Sequence, residues 1–127
     1  MKIAVLISRI LLGLVFVVFG LNGFLNFIPA GPLPPGLAGQ FVSVLLQSHY
    51  VWFVSAFELV PGVLLLANRY IPLAVALLAP MLVNILLYHF LLDMTGLPIA
   101  LIVVLLWGII AFRNRKYFYP LLVQQTS

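Results

Sequence analysis

Hydrophobic residues run along this chain in four long stretches, which short polar or proline-containing segments interrupt. A helix needs about 20 predominantly apolar residues to cross a bilayer, and each stretch meets or nearly meets that length. The last stretch is short, so we extend it into the basic segment that follows. The pattern predicts an all-α fold, a polytopic membrane four-helix bundle forming one domain over residues 1–127, with helices at about 3–26, 50–67, 71–92 and 97–116.

The first connection is the longest and is rich in proline. Pro29–Gly36 contains four prolines and two glycines, which cannot maintain a helical hydrogen-bond ladder. Leu37–Ser48 then has apolar residues such as Phe41 and Val44 with polar residues such as Gln40 between them. This segment is too short to span, and it predicts a short amphipathic helix lying at the membrane interface after the first transmembrane helix.

Composition indicates that lipid is the solvent for most of the surface. The chain is 65% hydrophobic and 6% charged, whereas about a quarter of the residues in a soluble domain are charged. The basic residues stand at the ends of apolar stretches, as membrane anchors do, so no nucleic-acid partner is predicted. The chain has no cysteine, which excludes disulfides, thiolate metal sites and dithiol redox chemistry. No metal site is predicted.

The positions of the basic residues predict an orientation. With the N-terminus inside, all of them fall on or near the cytoplasmic side, namely Lys2, Arg9, Arg69, Arg113, Arg115 and Lys116. The positive-inside rule therefore predicts cytoplasmic N- and C-termini and four spans. The first apolar stretch is long for a signal peptide and lacks a good small-residue cleavage site, so we interpret it as an uncleaved transmembrane helix.

One stripe of the first helix predicts its packing face. Arg9, Gly13, Phe16, Gly20 and Gly23 follow one another at spacings of four and three residues. Small residues allow helices to approach closely in lipid, so this stripe should face the other helices.

Glu58 is the most informative residue of the second helix, since it falls near the middle of the membrane. A carboxylate there must be protonated, paired or in contact with water. One interpretation is an Arg9–Glu58 pair that fixes the first two helices together. The other is a proton-carrying or ligand-contacting carboxylate, beside the helix-breaking Pro61. The sequence leaves both interpretations open.

The third helix carries further polar residues. Asn84 lies near mid-membrane, where it would form an interhelical hydrogen bond or contact a ligand. His89 and Asp93 lie towards the outer surface. Asp93 could orient the His89 imidazole so that it carries protons, or the two could form a satisfied interfacial pair. His49 lies at the same level, but two histidines without a haem motif do not favour bis-histidine haem ligation.

The order and spacing of several motifs resemble the DoxX family of small bacterial membrane proteins. The resemblance covers nearly the whole chain outside the proline-rich loop. It is carried by Arg9-Ile-Leu-Leu-Gly-Leu-Val-Phe, Phe19-Gly-Leu-Asn22, Glu58-Leu-Val-Pro-Gly62, Pro72-Leu-Ala, Ala79-Pro-Met-Leu-Val-Asn84-Ile-Leu, His89-Phe-Leu-Leu-Asp93 and Gly96-Leu-Pro.

The resemblance implies a four-helix bundle in the bacterial inner membrane, linked with respiratory or redox systems. It matches Arg9, Glu58, Asn84 and His89 to the recurring polar residues of the family. Related members are associated with quinol oxidation, thiosulfate:quinone oxidoreduction and oxidative-stress complexes. Any electron transfer would then need a partner protein or a bound quinone.

Three hypotheses about function follow. The first is an accessory, non-catalytic subunit whose polar interior holds a quinone-like or lipidic small molecule, because no complete catalytic, haem or thiol site is present in the sequence. The second is a proton-coupled small-molecule transporter centred on Glu58. The third is a purely structural membrane protein. Beyond the lipid bilayer, a membrane or redox partner protein and homo-oligomerisation both stay open.

Overall fold

The computed structural model describes residues 2–28 and 31–126, and the regular elements in those ranges are all helical. The predicted all-α class is confirmed for this part of the chain. The described residues form five α-helices, α1 (Lys2–Leu25), α2 (Gly36–Gln47), α3 (Val51–Ala67), α4 (Ile71–Leu91) and α5 (Leu97–Arg113). Three short 3₁₀ turns lie at Met94–Gly96, Arg115–Tyr117 and Tyr119–Leu122.

The four long helices pack as a ring. The principal contacts join α1 to α3 and α5, and they join α4 to the same two helices, so α1 and α4 face each other across the ring. The core where these helices meet is apolar, and its buried members are Leu12, Phe16, Leu65, Ala74, Val75, Leu78, Leu82, Val103 and Ile110.

The outward faces of the helices are as apolar as the core. Ile99 and Leu105 of α5, for example, are 70% and 63% exposed. Apolar surface on this scale is incompatible with water. Lys2–Leu25, Ile71–Leu91 and Met94–Arg113 are each long and apolar enough to cross a bilayer. The chain is therefore a membrane protein with several apolar helices.

Helix α3 is shorter than these spans, with 17 residues. It follows α2 after a short break, and the two helices meet at an angle of 85°. His49 lies in this break with a φ of 62°, a left-handed conformation that few residues other than glycine adopt. The pair α2–α3 is a fourth candidate span if it is counted as one bent unit.

The predicted stripe on α1 is confirmed as a packing face, and its main neighbour is α3. A Cβ atom added at Gly20 would lie 2.8 Å from the Leu59 backbone nitrogen, and one added at Gly62 would lie 2.8 Å from the Val17 backbone nitrogen. The glycines thus let the two backbones approach closely, as small residues do in membrane helix pairs. Phe16 in the same stripe is only 2% exposed.

The predicted helix after the first connection is present as α2, within one residue of its expected bounds at each end. Its buried residues are Ala38 and Gly39, and a Cβ at Gly39 would collide with the Pro34 carbonyl oxygen. Its larger apolar side chains, including Phe41 and Val44, are exposed. Residues 31–35 of the loop are not helical, as predicted, whereas Pro29 and Ala30 lie outside the described residues.

The last helix ends earlier than predicted. We expected it to continue to about residue 116, but α5 ends at Arg113 and a 3₁₀ turn follows. Asn114 explains the difference, because its side-chain Nδ2 donates to the Ile110 carbonyl oxygen at 2.9 Å. Asparagine competes with helix continuation through such local bonds. At the other end of the helix, Pro98 stands in the first turn, where proline is tolerated.

Candidate functional site

Glu58 lies in the middle of α3, on the side that faces the other helices. It shares this side with Ser55, Gly62 and Leu65, which are three, four and seven residues away and are all buried. The Glu58 side chain itself is half-buried. The sequence-based placement of a carboxylate among apolar neighbours therefore agrees with the position of Glu58 in the fold.

Arg9 does not pair with Glu58. Its Nη1 donates to the Leu65 carbonyl oxygen and, at 3.3 Å, to the Leu66 carbonyl oxygen. Among residues 2–28 and 31–126, no ion pair to the Glu58 carboxylate is present. The interpretation of Arg9 and Glu58 as a packing pair is therefore not what the geometry shows.

The end of α3 explains where Arg9 binds. The last four carbonyls of a helix have no partner within the helix, and they form the negative end of its dipole. Leu65 and Leu66 belong to this last turn, seven and eight residues beyond Glu58. At about 1.5 Å per residue, these acceptors lie roughly 11 Å from Glu58 along the helix axis. Arg9 lies near the beginning of α1 and donates to these acceptors.

Asn84 lies away from the interior. It is exposed on α4, and its side-chain Nδ2 donates to the Pro80 carbonyl oxygen of the same helix at 3.0 Å. We expected either a hydrogen bond to another helix or a ligand contact from the core. The structure instead ties this amide to its own helix, so Asn84 and Glu58 do not form one polar core.

His89 and Asp93 meet at the turn between α4 and α5, but through the backbone. His89 Nδ1 lies 3.0 Å from the Asp93 carbonyl oxygen. Because a carbonyl only accepts, Nδ1 carries the proton of this bond. The ring also packs against Gly96, where a Cβ would collide with it, and against the edge of Tyr88 at 5.1 Å between centroids. His89 therefore packs within the turn.

The Asp93 carboxylate has its own partner in this turn. Its Oδ1 accepts from the Thr95 hydroxyl at 2.7 Å and from the Thr95 backbone nitrogen at 3.0 Å. These two bonds, with a smaller contribution from His89, hold the pKa of Asp93 below its ordinary value. Asp93 thus caps the 3₁₀ turn that leads into α5. His49, by contrast, is exposed and stacks on Trp52 with 4.6 Å between ring centroids.

Trp107 forms a polar contact between helices that the sequence did not predict. Its indole Nε1 donates to the Val75 carbonyl oxygen at 3.0 Å and so joins α5 to α4. Pro80 disturbs the α4 hydrogen-bond ladder close to this acceptor. A tryptophan in the middle of an apolar helix was the available signal, because a buried indole N–H needs an acceptor.

In residues 2–28 and 31–126, no three His, Cys, Asp or Glu side chains come together as a metal-binding group. The DoxX family model matches residues 4–91, which run from the third residue of α1 to the end of α4. The match ends before Asp93 and the Gly96-Leu-Pro motif, so the resemblance is confirmed over a shorter range than the motifs suggested. No curated protein and no solved structure matches the chain.

Proposed function

Because the chain belongs to the DoxX family of small membrane proteins, we propose that it is an accessory, non-catalytic subunit of a respiratory or redox-associated system in the bacterial inner membrane. In this proposal the subunit binds a quinone-like or lipidic molecule between its helices, and Glu58 contacts the polar part of that molecule. A membrane redox protein would be the partner that supplies or receives electrons.

The proposed topology has four crossings and cytoplasmic termini. At about 1.5 Å per residue, α3 is roughly 26 Å long, close to the ~30 Å hydrocarbon layer. All six Lys and Arg residues of the chain lie near the beginning of α1, in the α3–α4 turn, or at and after the end of α5. This distribution supports a cytoplasmic location for those segments.

One observation supports the Glu58 site more than any other. Arg9, the cation expected to pair with Glu58, binds the carbonyls at the end of α3, and this leaves Glu58 on the inward side of the helix without an ion pair in the described residues. An intramembrane carboxylate is costly unless it is neutral, hydrated or bound to a ligand. A quinone carbonyl would accept a hydrogen bond from the protonated form of such a group.

Pro61 adds a second feature to the same place. It is buried three residues after Glu58 and has no N–H for the Phe57 carbonyl. Backbone groups released in this way are tolerated in lipid only where protein, water or a ligand approaches them. The surroundings of Glu58 thus provide both a side-chain and a backbone group for a polar ligand.

The test is binding of a short-chain ubiquinone analogue to the purified protein in detergent, followed by thermal unfolding. We expect the analogue to raise the Tm of the wild-type protein and to have little effect on Glu58→Leu, which removes the hydrogen-bond donor that a glutamine would keep. Asp93→Asn is the matched control. The chain has two acidic side chains, and this substitution neutralises the one in the α4–α5 turn, away from Glu58. An unchanged wild-type Tm, together with no copurifying apolar molecule, would overturn the proposal.

The same carboxylate also supports a second candidate, a proton-coupled small-molecule transporter, because a lone intramembrane carboxylate next to a helix-breaking proline can exchange protons. This candidate predicts pH-gradient-driven flux in proteoliposomes, which Glu58→Gln abolishes. Flux that is independent of the pH gradient in both the wild-type protein and Glu58→Gln would rule out the transporter candidate.

A further inference from the structure

A cleft of about 290 Å³ opens where the beginning of α1, the α3–α4 turn and the end of α5 meet. We propose that this basic cleft binds a phosphate group, either the headgroup of an anionic phospholipid or a soluble phosphate. The site is separate from Glu58, which lies about 15 Å from Asn68 along α3 at the usual helical rise. The inference therefore goes beyond the proposed function and does not depend on it.

The charge of the basic cleft is entirely positive. Three cations from two helices line it, Lys2 and Arg9 of α1 and Arg113 of α5. Of the described residues that line it, none is acidic. The two acidic residues of the chain are remote, since Glu58 lies in the middle of α3 and Asp93 lies beyond the far end of α4. The three cations would attract a phosphate in the cleft, and no carboxylate of its described lining residues would repel it.

At the basic cleft, carbonyls at the helix ends that would repel an anion accept hydrogen bonds from the protein itself. Two of these helix ends are C-termini, whose free carbonyls would ordinarily repel negative charge. At α3 those carbonyls accept from Arg9 Nη1, and at α5 the Ile110 carbonyl accepts from the Asn114 amide. The protein thus satisfies these acceptors itself. The bonds of Arg9 use one nitrogen, and a guanidinium carries five N–H donors in a planar fork that suits phosphate.

The remaining walls of the cleft favour a lipid as the source of the phosphate. Apolar side chains stand beside the cations, and these are Val5, Leu6, Ile71 and Ile110. Leu6 is 47% exposed, and Leu11 and Leu14 of α1 are exposed to a similar extent. A headgroup in the cleft would leave its acyl chains along this apolar face of α1. Basic pockets between membrane helices recognise anionic headgroups in this manner.

The test compares two double variants that remove the same charge. Lys2→Gln with Arg113→Gln neutralises two cations of the basic cleft and spares Arg9, whose bonds hold α3. Arg115→Gln with Lys116→Gln is the matched control at the same end of the protein, outside the cleft lining. Binding is measured by native mass spectrometry and by Tm shift, with phosphatidylglycerol, phosphatidylcholine and inorganic phosphate as separate probes.

Because the cleft cations would contact the phosphate directly, a loss of about 1 kcal/mol for each of the two predicts roughly 30-fold weaker binding of phosphatidylglycerol by the cleft variant at low salt. The control variant should stay within about threefold of wild type. Binding of phosphatidylglycerol with that pattern identifies a lipid headgroup, whereas a phosphate-induced Tm shift with the same pattern identifies a soluble anion. Equal losses in both variants, or no preference for phosphatidylglycerol over phosphatidylcholine and no response to phosphate, would overturn the proposal.

Discussion

At the scale of single residues, Arg9 joins α1 to the end of α3 through two backbone carbonyls. Arg9→Met removes the donors and keeps an apolar stem, so it should lower the free energy of unfolding by about 1.5–3 kcal/mol, the range for hydrogen bonds to charged groups. Unfolding in bicelles measures the effect. The exposed Arg69→Met is the control, with an expected change within about 0.5 kcal/mol.

A double-mutant cycle then separates Arg9 from Glu58. Arg9 binds the last turn of α3, whereas Glu58 lies in the middle of that helix, so the two side chains are not in contact. The effects of Arg9→Met and Glu58→Gln on the free energy of unfolding should therefore add within about 0.5 kcal/mol. A coupling energy well above that value would restore the interpretation of the two residues as a structural pair. Additivity would leave Glu58 available for a ligand or a proton.

The residues differ in how far their roles were predictable from sequence. The position of Glu58 in the middle of an apolar helix was predictable, because a carboxylate in an apolar stretch is conspicuous whatever surrounds it; its role stays a prediction. The partner of Arg9 was not predictable, since the acceptors are backbone carbonyls and leave no trace in the side-chain pattern. The outward position of Asn84 was not predictable either. Helix α4 is apolar around its circumference, so periodicity could not indicate which side of it faces the core.

At the scale of elements, glycine positions on α1 and α3 determine how closely these helices pack. Gly20→Ala and Gly62→Ala would each bring a Cβ within 2.8 Å of a backbone nitrogen, which cannot move without shifting a helix. We expect each to lower the free energy of unfolding by about 1–3 kcal/mol, as overpacking does. Gly13→Ala should be milder, because its closest contact is the flexible Leu66 side chain at 2.8 Å.

Gly108→Ala provides the matched control for these substitutions. Gly108 is also inside a helix, but a Cβ there would meet no atom of the described residues within 4 Å. Its substitution should leave stability unchanged or raise it slightly, since alanine is the better helix former. Equal destabilisation at Gly108 and Gly20 would show that glycine acts through something other than the α1–α3 contact.

The element boundaries show where sequence patterns were sufficient. Four apolar stretches and the proline-rich break predicted the helices to within a residue or two, except at the end of α5. That boundary depends on one side-chain bond, from Asn114 to the Ile110 carbonyl, and hydropathy does not register such a bond. The 85° angle between α2 and α3 was equally hidden, because the left-handed backbone of His49 in the break is a conformation that hydropathy does not register.

At the scale of the whole molecule, the number of crossings depends on α3. Its contacts with α1 extend from Gly23, which faces Ser55, to Arg9, which reaches the Leu65 carbonyl. Those 14 residue steps along α1 correspond to about 21 Å of helix. The contacts occur in opposite chain order on the two helices, so α3 runs antiparallel to α1 over most of the length of a span. This arrangement supports a complete crossing by α3.

Single-cysteine labelling tests that crossing, and the chain has no cysteine to interfere. With four crossings, Gln40→Cys on α2 and Thr95→Cys in the α4–α5 turn lie on the same side of the membrane, and Lys116→Cys lies on the other. With three crossings, in which α2 and α3 only dip into the bilayer, Gln40→Cys and Thr95→Cys lie on opposite sides. An impermeant maleimide added to intact cells should therefore label the first two positions alike, and it should label Lys116→Cys only after permeabilisation, because the basic residues around it favour the cytoplasm.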